Sequence, residues 1–349
     1  MSDYFTERNK ISYRKLSRTL SDLPVFVSEF FIGIEQNTSV LTRLNYAYDL
    51  RVFFDFLYKE IEAFQGLDKN AFSLNHLNAV SPTHIETFLS YLNYYSLNGK
   101  DSVNSERGKA RKLSAIKTML KYFYRKEKID ANVSDKVSAP KIHTKEIVRL
   151  EIDEVVRLLD TAETGENLTK GQQKFHNATK LRDVALLTLF LGTGIRISEC
   201  VGLNLDDMDF SNNSFKVTRK GGNKTILYFS EEVEDALTEY IEYRNNLQGV
   251  AENENALFLS IQKKRLNVRA VQMLVKKYSK IITPLKKITP HKLRSTYGTS
   301  LYRETNDIYI VADVLGHKDV NTTKKHYAAI SEDLRKNAAG KVKLRDKDE

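Results

Sequence analysis

LRDVALLTLFLGTGIRISE, residues 181–199, decides the reading of this chain. Residues 181–191 form an apolar helical run, and Gly192-Thr193-Gly194 stands at its end. Arg196 follows at once. A guanidinium in such a place must be paired or must face a ligand, because burying it alone is very costly. One reading pairs it with Glu199, three residues on, the spacing of helical neighbours. The other makes it a bidentate fork for a phosphate. On these residues alone the two readings stand level.

Three further stretches widen the pattern: HKLR (291–294), LGH (315–317) and KKHY (324–327). Each places a polar, reactive group in or beside a segment that otherwise reads as core. His291 and Arg294 are three apart and share one helix face, a phosphate fork beside a group that titrates near neutrality. Tyr327 is one of 18 tyrosines, and a lone tyrosine is usually a packing residue. Its phenol ordinarily titrates near pH 10, so it reacts only with cationic neighbours or a base. His317, Lys324, Lys325 and His326 lie just upstream. Lys220 sits among Lys220-Gly221-Gly222-Asn223, between the alternating runs SFKVTR (214–219) and KTILYF (224–229), a hairpin pattern. By default it is a solvated turn lysine, although the glycines would let the backbone approach DNA closely. Two arginines, two histidines and a tyrosine in this order are what an enzyme needs to attack a phosphodiester with a side-chain oxygen and no metal. Two histidines with no third ligand at suitable spacing argue against a metal site.

Composition sets the frame. At 349 residues, roughly 150 per domain gives two domains. With 41% hydrophobic and 29% charged residues the chain is globular, and a net charge of +10 favours a polyanionic partner, nucleic acid before an anionic membrane. No apolar run reaches the roughly 18 residues a membrane span needs, and MSDYFTERNK lacks the apolar stretch of a signal peptide. The expectation is a cytoplasmic protein. Cys200 stands alone and follows an apolar run, which makes it a reduced core residue.

The first part reads as helices. In 40–60, Leu41, Leu44, Tyr48, Val52 and Leu57 fall near a 3.6-residue period, with Phe53, Phe54 and Phe56 widening the stripe. Ser81-Pro82-Thr83 is a helix start with proline in its first turn. Residues 103–129 form another long helix with Leu113, Ile116, Leu120 and Phe123 on its apolar face. Residues 103–145 hold 12 Lys and Arg against 4 Asp and Glu. Such a face can be merely solvated, but the one-sided sign favours DNA, with Arg43, Lys109, Arg111, Lys112, Lys117 and Lys121 as candidate contacts. Residues 131–148 lose periodicity and read as a linker. The second part reads as helices at 150–161, 181–191, 231–246 and 267–281, with a polar loop at 162–178. Thr289-Pro290 opens a helix from His291 through Leu301. The fold class is mainly α with a small β-sheet or hairpin.

These motifs resemble those of the tyrosine site-specific recombinases, the phage-integrase family. GTGIRISE resembles the family's first arginine box, HKLR its second, LGH followed by Tyr327 its third, and TRKGGNK the hairpin bearing its lysine. NTSVLTRLNYAYDLRVFFDFL and ARKLSAIKTMLKYFYRKEKIDAN resemble its core-binding domain. The resemblance implies a helical, SAM-like core DNA-binding domain over 1–140 and a linker at 141–148. A mixed α+β catalytic domain would follow over 149–335, and a charged tail over 336–349. It implies that Tyr327 attacks the scissile phosphate, leaving a 3′-phosphotyrosyl link and a free 5′ hydroxyl. Arg196 and Arg294 would clamp the non-bridging oxygens, His317 would donate to the same phosphate, and Lys220 would protonate the leaving 5′ oxygen. His291 would be the base for Tyr327, with Glu199 orienting the site. No cofactor is implied, and the absence of a GxxxxGK[ST] loop agrees with independence from ATP.

The stretch DLPVFVSEFF and the helix after it are most similar to the Xer type, in its single-recombinase form, XerS. That implies chromosome-dimer resolution at a dif-like inverted repeat by a homo-tetramer on two duplexes, with a cell-division DNA translocase as a candidate partner. The alternatives are an integrase or excisionase of a mobile element or phage, and a DNA-binding protein that does not cleave. One domain on each face of the DNA, as a C-shaped clamp, and a tail beyond Tyr327 docked on a neighbouring protomer are further expectations. Three departures stand out. His317 to Tyr327 is ten positions, one more than in many members, and Ser295 and Ala329 stand where histidine is common.

Overall fold

The computed structural model describes residues 4–97, 99–142, 148–219, 222–317 and 319–321. The chain divides into two compact units, Met1–Lys145 and Glu146–Glu349. Both are built mainly of helices, as the sequence leads one to expect.

The first unit packs α1 (Tyr4–Leu20), α2 (Val27–Gly33), α3 (Val40–Glu60), α4 (Leu74–Asn78), α5 (Pro82–Tyr91) and α6 (Glu106–Arg125), with a small hairpin of β1 (Tyr95–Leu97) and β2 (Lys100–Ser102). Helix α3 is the centre, packed by α1, α5 and α6. Ser39 starts it, its side chain accepting the Thr42 N–H at 3.2 Å. Because three neighbours cover α3, its buried residues are not one stripe: Leu44, Ala47, Leu50, Val52, Phe53, Phe54, Phe56 and Leu57 are all inside. Leu41 and Tyr48, placed on the core stripe by periodicity, are exposed. The core is aromatic, with Phe53 edge-on to Phe88 at 5.2 Å and Phe54 edge-on to Phe72 at 5.5 Å. Ser81 and Pro82 open α5 as predicted, and the apolar face of α6 is buried as predicted. Part of the stretch read as a linker packs onto this unit: Val133–Lys136 is a 3-10 turn, and Ser134 and Val137 are buried.

In the second unit α7 (Ile152–Thr164), α8 (Lys170–Thr193), the short α9 (Ile197–Cys200), α10 (Glu231–Asn245), α11 (Val268–Ile282), α12 (Pro290–Thr305) and α13 (Ile308–Leu315) surround a three-stranded antiparallel sheet. The sheet runs β3 (Met208–Asp209), β4 (Ser214–Thr218), β5 (Lys224–Tyr228), with Ser214 opposite Tyr228 and Thr218 opposite Lys224. Helix α8 packs against α7, α10 and α12, and residues 185–190 in its second half are buried without interruption. It starts about three turns earlier than hydrophobicity predicts, so most of the expected 162–178 loop is helix. The polar first turns are set by a reciprocal cap: the Thr169 hydroxyl accepts the Gln172 backbone N–H, and the Gln172 side-chain Oε1 accepts the Thr169 N–H at 3.0 Å. Asp183, fully buried on α8, accepts from Arg182, from Lys277 at 3.1 Å and from the Tyr278 hydroxyl at 2.9 Å, which ties α8 to α11. A buried carboxylate needs this many partners. Among the described residues, no helix is long and apolar enough to cross a membrane.

Candidate active site

The end of α8 positions the first group. Gly194 caps the helix at φ +61°, where a Cβ would come within 2.5 Å of Tyr297 and 2.9 Å of Leu315. Only glycine both takes that turn and lets α12 and α13 approach so closely. The turn leaves Arg196 at the start of α9. Glu199, 4% exposed, holds it at two points: one carboxylate oxygen accepts the Arg196 backbone N–H at 3.0 Å, the other accepts Nη1 at 2.9 Å. The ion pair weighed from the sequence is therefore present, but it occupies one side of the fork. Nη2 points the other way and donates to the Leu315 and Gly316 carbonyls at 3.0 and 2.8 Å.

Arg294 arrives from α12, whose first turn carries Pro290 as the sequence predicts. It is buried, with Nη1 donating to the Gly194 carbonyl at 2.5 Å and Nη2 to the Leu315 carbonyl. Arg196 and Arg294 thus donate to one and the same oxygen. His291 is exposed in the first turn of α12, and Arg294 follows one turn deeper. The LGH stretch is the end of α13. Gly316 takes φ +59°, and the His317 N–H returns to the Ala312 carbonyl at 2.9 Å, closing a left-handed helix cap that fixes His317 one residue beyond the carbonyls the arginines hold. Arg196, Arg294, Glu199 and His317 are therefore gathered around the α13 C-terminus.

A third guanidinium joins them. Arg219, at the end of β4, donates from Nη2 to the Val314 carbonyl at 3.1 Å. It was not singled out from the sequence, where it reads as one more basic residue of a hairpin, and no local signal marks its inward turn. Three cations thus face the carbonyls of Val314 and Leu315, the last two of α13, and of its cap Gly316. Those carbonyls have no helical partner, and they form the negative end of the helix dipole. With a phosphate present, Arg196 and Arg294 can turn the same donors to an oxyanion.

Lys220 and Tyr327 lie outside the described residues, as do Lys324, Lys325, His326, Ala329 and the tail. Tyr297 is described and lies one turn from Arg294. Its burial pushes the phenol above the ordinary value, outweighing the pull of Arg294, so it is not an activated nucleophile. Cys200 is buried as expected, and burial, with Glu199 adding to it, pushes its thiol up. Among the described residues no cluster of three metal-ligating side chains occurs.

The candidate DNA contacts of the first unit divide. Arg43, Lys109 and Lys112 are corrections: they are no more than 9% exposed and are engaged inside the unit. Arg43 pairs with Glu35 at 2.6 Å and holds its carboxyl below the ordinary range. Lys109 pairs with Glu106 at 2.8 Å, and Lys112 donates to Asn104 and lies 3.6 Å from Asp49. Asp49 explains the inward turn. It is buried, which pushes its carboxyl up, and Arg111 and Lys112 offset this only in part. Arg111 reaches Asp49 at 2.5 Å with half its side chain exposed. Lys117 is half-buried, donating to the Val137 carbonyl at 2.8 Å, and Lys121 is exposed. Lys117, Lys121 and Arg125 recur every four residues along one open groove, the outward basic ridge of α6.

A family model described as the phage integrase family matches residues 148–333, more than half of the chain. A tyrosine recombinase XerC of Caldanaerobacter subterraneus subsp. tengcongensis is 32% identical over 288 residues, covering 80% of this chain and 75% of that protein. The XerC of Natranaerobius thermophilus is 32% identical over 301 residues, covering 85% and 90%. Among solved structures, a XerH site-specific recombinase bound to palindromic difH substrate superposes with a TM-score of 0.66 at 18% identity. It covers 87% of this chain and 81% of that one. A lambda integrase dimer bound to a core site gives 0.60 at 15% identity, covering 86% and 93%. These two likenesses are of fold. The family and the fold agree with the gathered arginines: the chain belongs to the phage integrase family, as a tyrosine recombinase of the Xer type, an enzyme that cleaves and rejoins DNA.

Proposed function

We propose that this recombinase resolves chromosome dimers at a dif-like inverted repeat, through a 3′-phosphotyrosyl intermediate formed by Tyr327. The observation that carries the chemical part is the convergence of Arg196 and Arg294 on one oxygen, the Leu315 carbonyl. Two guanidinia that reach one acceptor can also hold two oxygens of one phosphate, and His317 stands beside them. In this reading the Tyr327 phenol gives its proton to His291 and attacks phosphorus. The P–O5′ bond breaks, and Lys220 protonates the leaving 5′ oxygen. Arg196, Arg294 and His317 stabilise the five-coordinate phosphorus, and Glu199 fixes the plane of Arg196. The phosphotyrosine keeps the energy of the broken bond, so rejoining needs no nucleotide.

The dif-like site rests on the XerC relatives and on the length over which they match. Those relatives carry the XerC name, not that of the single-recombinase XerS form. The Xer type is thus supported, and that finer choice is part of the proposal. A homo-tetramer on two sites, acting in the cytoplasm with a cell-division translocase as its activator, belongs to the same proposal. The test uses a nicked suicide duplex drawn from the dif-like site of the host chromosome. Wild type should trap as a covalent protein–DNA adduct on a denaturing gel, and Tyr327→Phe should bind equally and trap none. Adduct only on attachment-like ends of a neighbouring mobile element would make the protein an integrase. Binding without adduct on either would leave a DNA-binding protein that does not cleave.

A further inference from the structure

We propose that Arg219 is a positioning residue for strand cleavage: it pins the end of β4 to the C-terminus of α13, and protonation of the leaving 5′ oxygen, assigned above to the next residue in sequence, depends on that contact. This rests on the reading of Lys220 as the acid for the leaving group. It concerns what that proton transfer depends on, which neither the family nor the relatives state.

The argument begins with the sheet. Strand β3 pairs only with the first two residues of β4, Asp209 with Ser214 and Met208 with Phe215. From Lys216 onward the hairpin is a two-stranded ribbon, and such a ribbon is marginal in water by itself. Its end therefore needs an outside support. The backbone of Arg219 is held within the hairpin, its N–H donating to Asn223 O at 2.8 Å and its carbonyl accepting the Gly222 N–H at 3.0 Å. Its side chain leaves the hairpin and crosses 95 residues of sequence to the Val314 carbonyl.

The fit at the far end is close. A Cβ on Gly316 would come within 1.8 Å of the Arg219 Nη1, so the guanidinium lies directly against that glycine. Its Nε is buried without a hydrogen-bond partner. An arginine whose only role was solubility at a hairpin neck would stay in water, where all its donors are met. This one gives up part of its hydration to hold one place. That place adjoins His317 on one side, and Arg219 adjoins Lys220 on the other. The contact therefore couples the strand that leads to the acid with the turn that presents His317.

The test separates protonation of the leaving group from everything else. The full chain is given nicked duplexes whose scissile phosphate carries either the natural 5′ oxygen or sulfur in its place. With sulfur, the Tyr327 Oη–P bond forms and the P–S bond breaks, and the thiolate departs with the bonding pair. A thiol holds its proton only up to about pH 8.5, so no acid is required. Arg219→Ala should slow adduct formation about 10- to 100-fold on the oxygen duplex, and stay within about threefold of wild type on the sulfur duplex, at unchanged binding. Arg219→Lys, which can still reach Val314, should recover part of the oxygen rate. Lys220→Ala is the reference and should also be restored by sulfur. Restoration of Lys220→Ala without restoration of Arg219→Ala would overturn the proposal and leave the Lys220 reading intact. It would mean that Arg219 serves the phosphate or the fold. Failure of sulfur to restore Lys220→Ala would sink the Lys220 reading, and this proposal with it. An unchanged oxygen rate in Arg219→Ala would also overturn it. Should Arg219→Ala not fold, Arg219→Gln is subjected to the same comparison and read the same way.

Discussion

Arg196 shows how one side chain can satisfy two readings that looked exclusive. Its ion pair with Glu199 uses the backbone N–H and Nη1, and this leaves Nη2 aimed at the α13 carbonyls. The pair is thus a means of aiming, and the difference between aiming and binding can be measured. Arg294→Ala removes a phosphate donor and should lower the rate of adduct formation about 10²- to 10³-fold at saturating DNA, the usual loss for one oxyanion donor. Glu199→Gln keeps both arginines, so its loss should be smaller, about tenfold, with DNA binding retained. A Glu199→Gln enzyme that binds and cleaves like wild type would confine Glu199 to the fold. At this scale the sequence was informative because Arg196, His291, Arg294 and His317 sit in short motifs whose order is itself a signal. It was silent on Arg219, whose partner lies 95 residues away.

At the scale of elements, the junction of α8, α12 and α13 depends on Gly194. Its left-handed φ and the nearness of Tyr297 and Leu315 both exclude a side chain. Gly194→Ala should therefore destabilise the second unit by about 1–3 kcal/mol, read as a lower urea midpoint, because both the backbone and the packing resist the added methyl. Cleavage should fall further than stability accounts for, since the same methyl pushes on the helix end that the arginines grip. A variant of wild-type midpoint would show that the junction relaxes freely. Most helices were legible, because a 3.6-residue period and caps such as Ser81-Pro82 are local. The first turns of α8 were not, because the side chains they bury, His176 and Thr179, are polar and make no apolar stripe, and only the Thr169–Gln172 cap reveals its start. The two-residue strand β3 is too short for any alternation to show.

At the scale of the whole molecule, each of the two units has its own core, and the outward basic ridge of α6 lies in the first while the arginine site lies in the second. If both units grip DNA, the isolated 149–349 fragment should bind a recombination site at least about tenfold more weakly than the full chain. Its affinity should also fall less steeply with salt, because fewer phosphates are neutralised. Equal affinity and equal slope would remove the first unit from recognition. The sequence announced the basic bias of 103–145 but misassigned part of it. Charge can be counted along a chain, whereas the side of α6 that faces Asp49 is set by tertiary packing.

That inward turn bears on how contacts with DNA would be mapped. In a footprint with a lysine-acylating reagent, Lys109 and Lys112 are shielded in the free protein by Glu106, Asn104 and Asp49. Their protection in a complex would report an intact first unit, and their labelling would report its opening. Only positions such as Lys121, open before DNA arrives, can report the duplex.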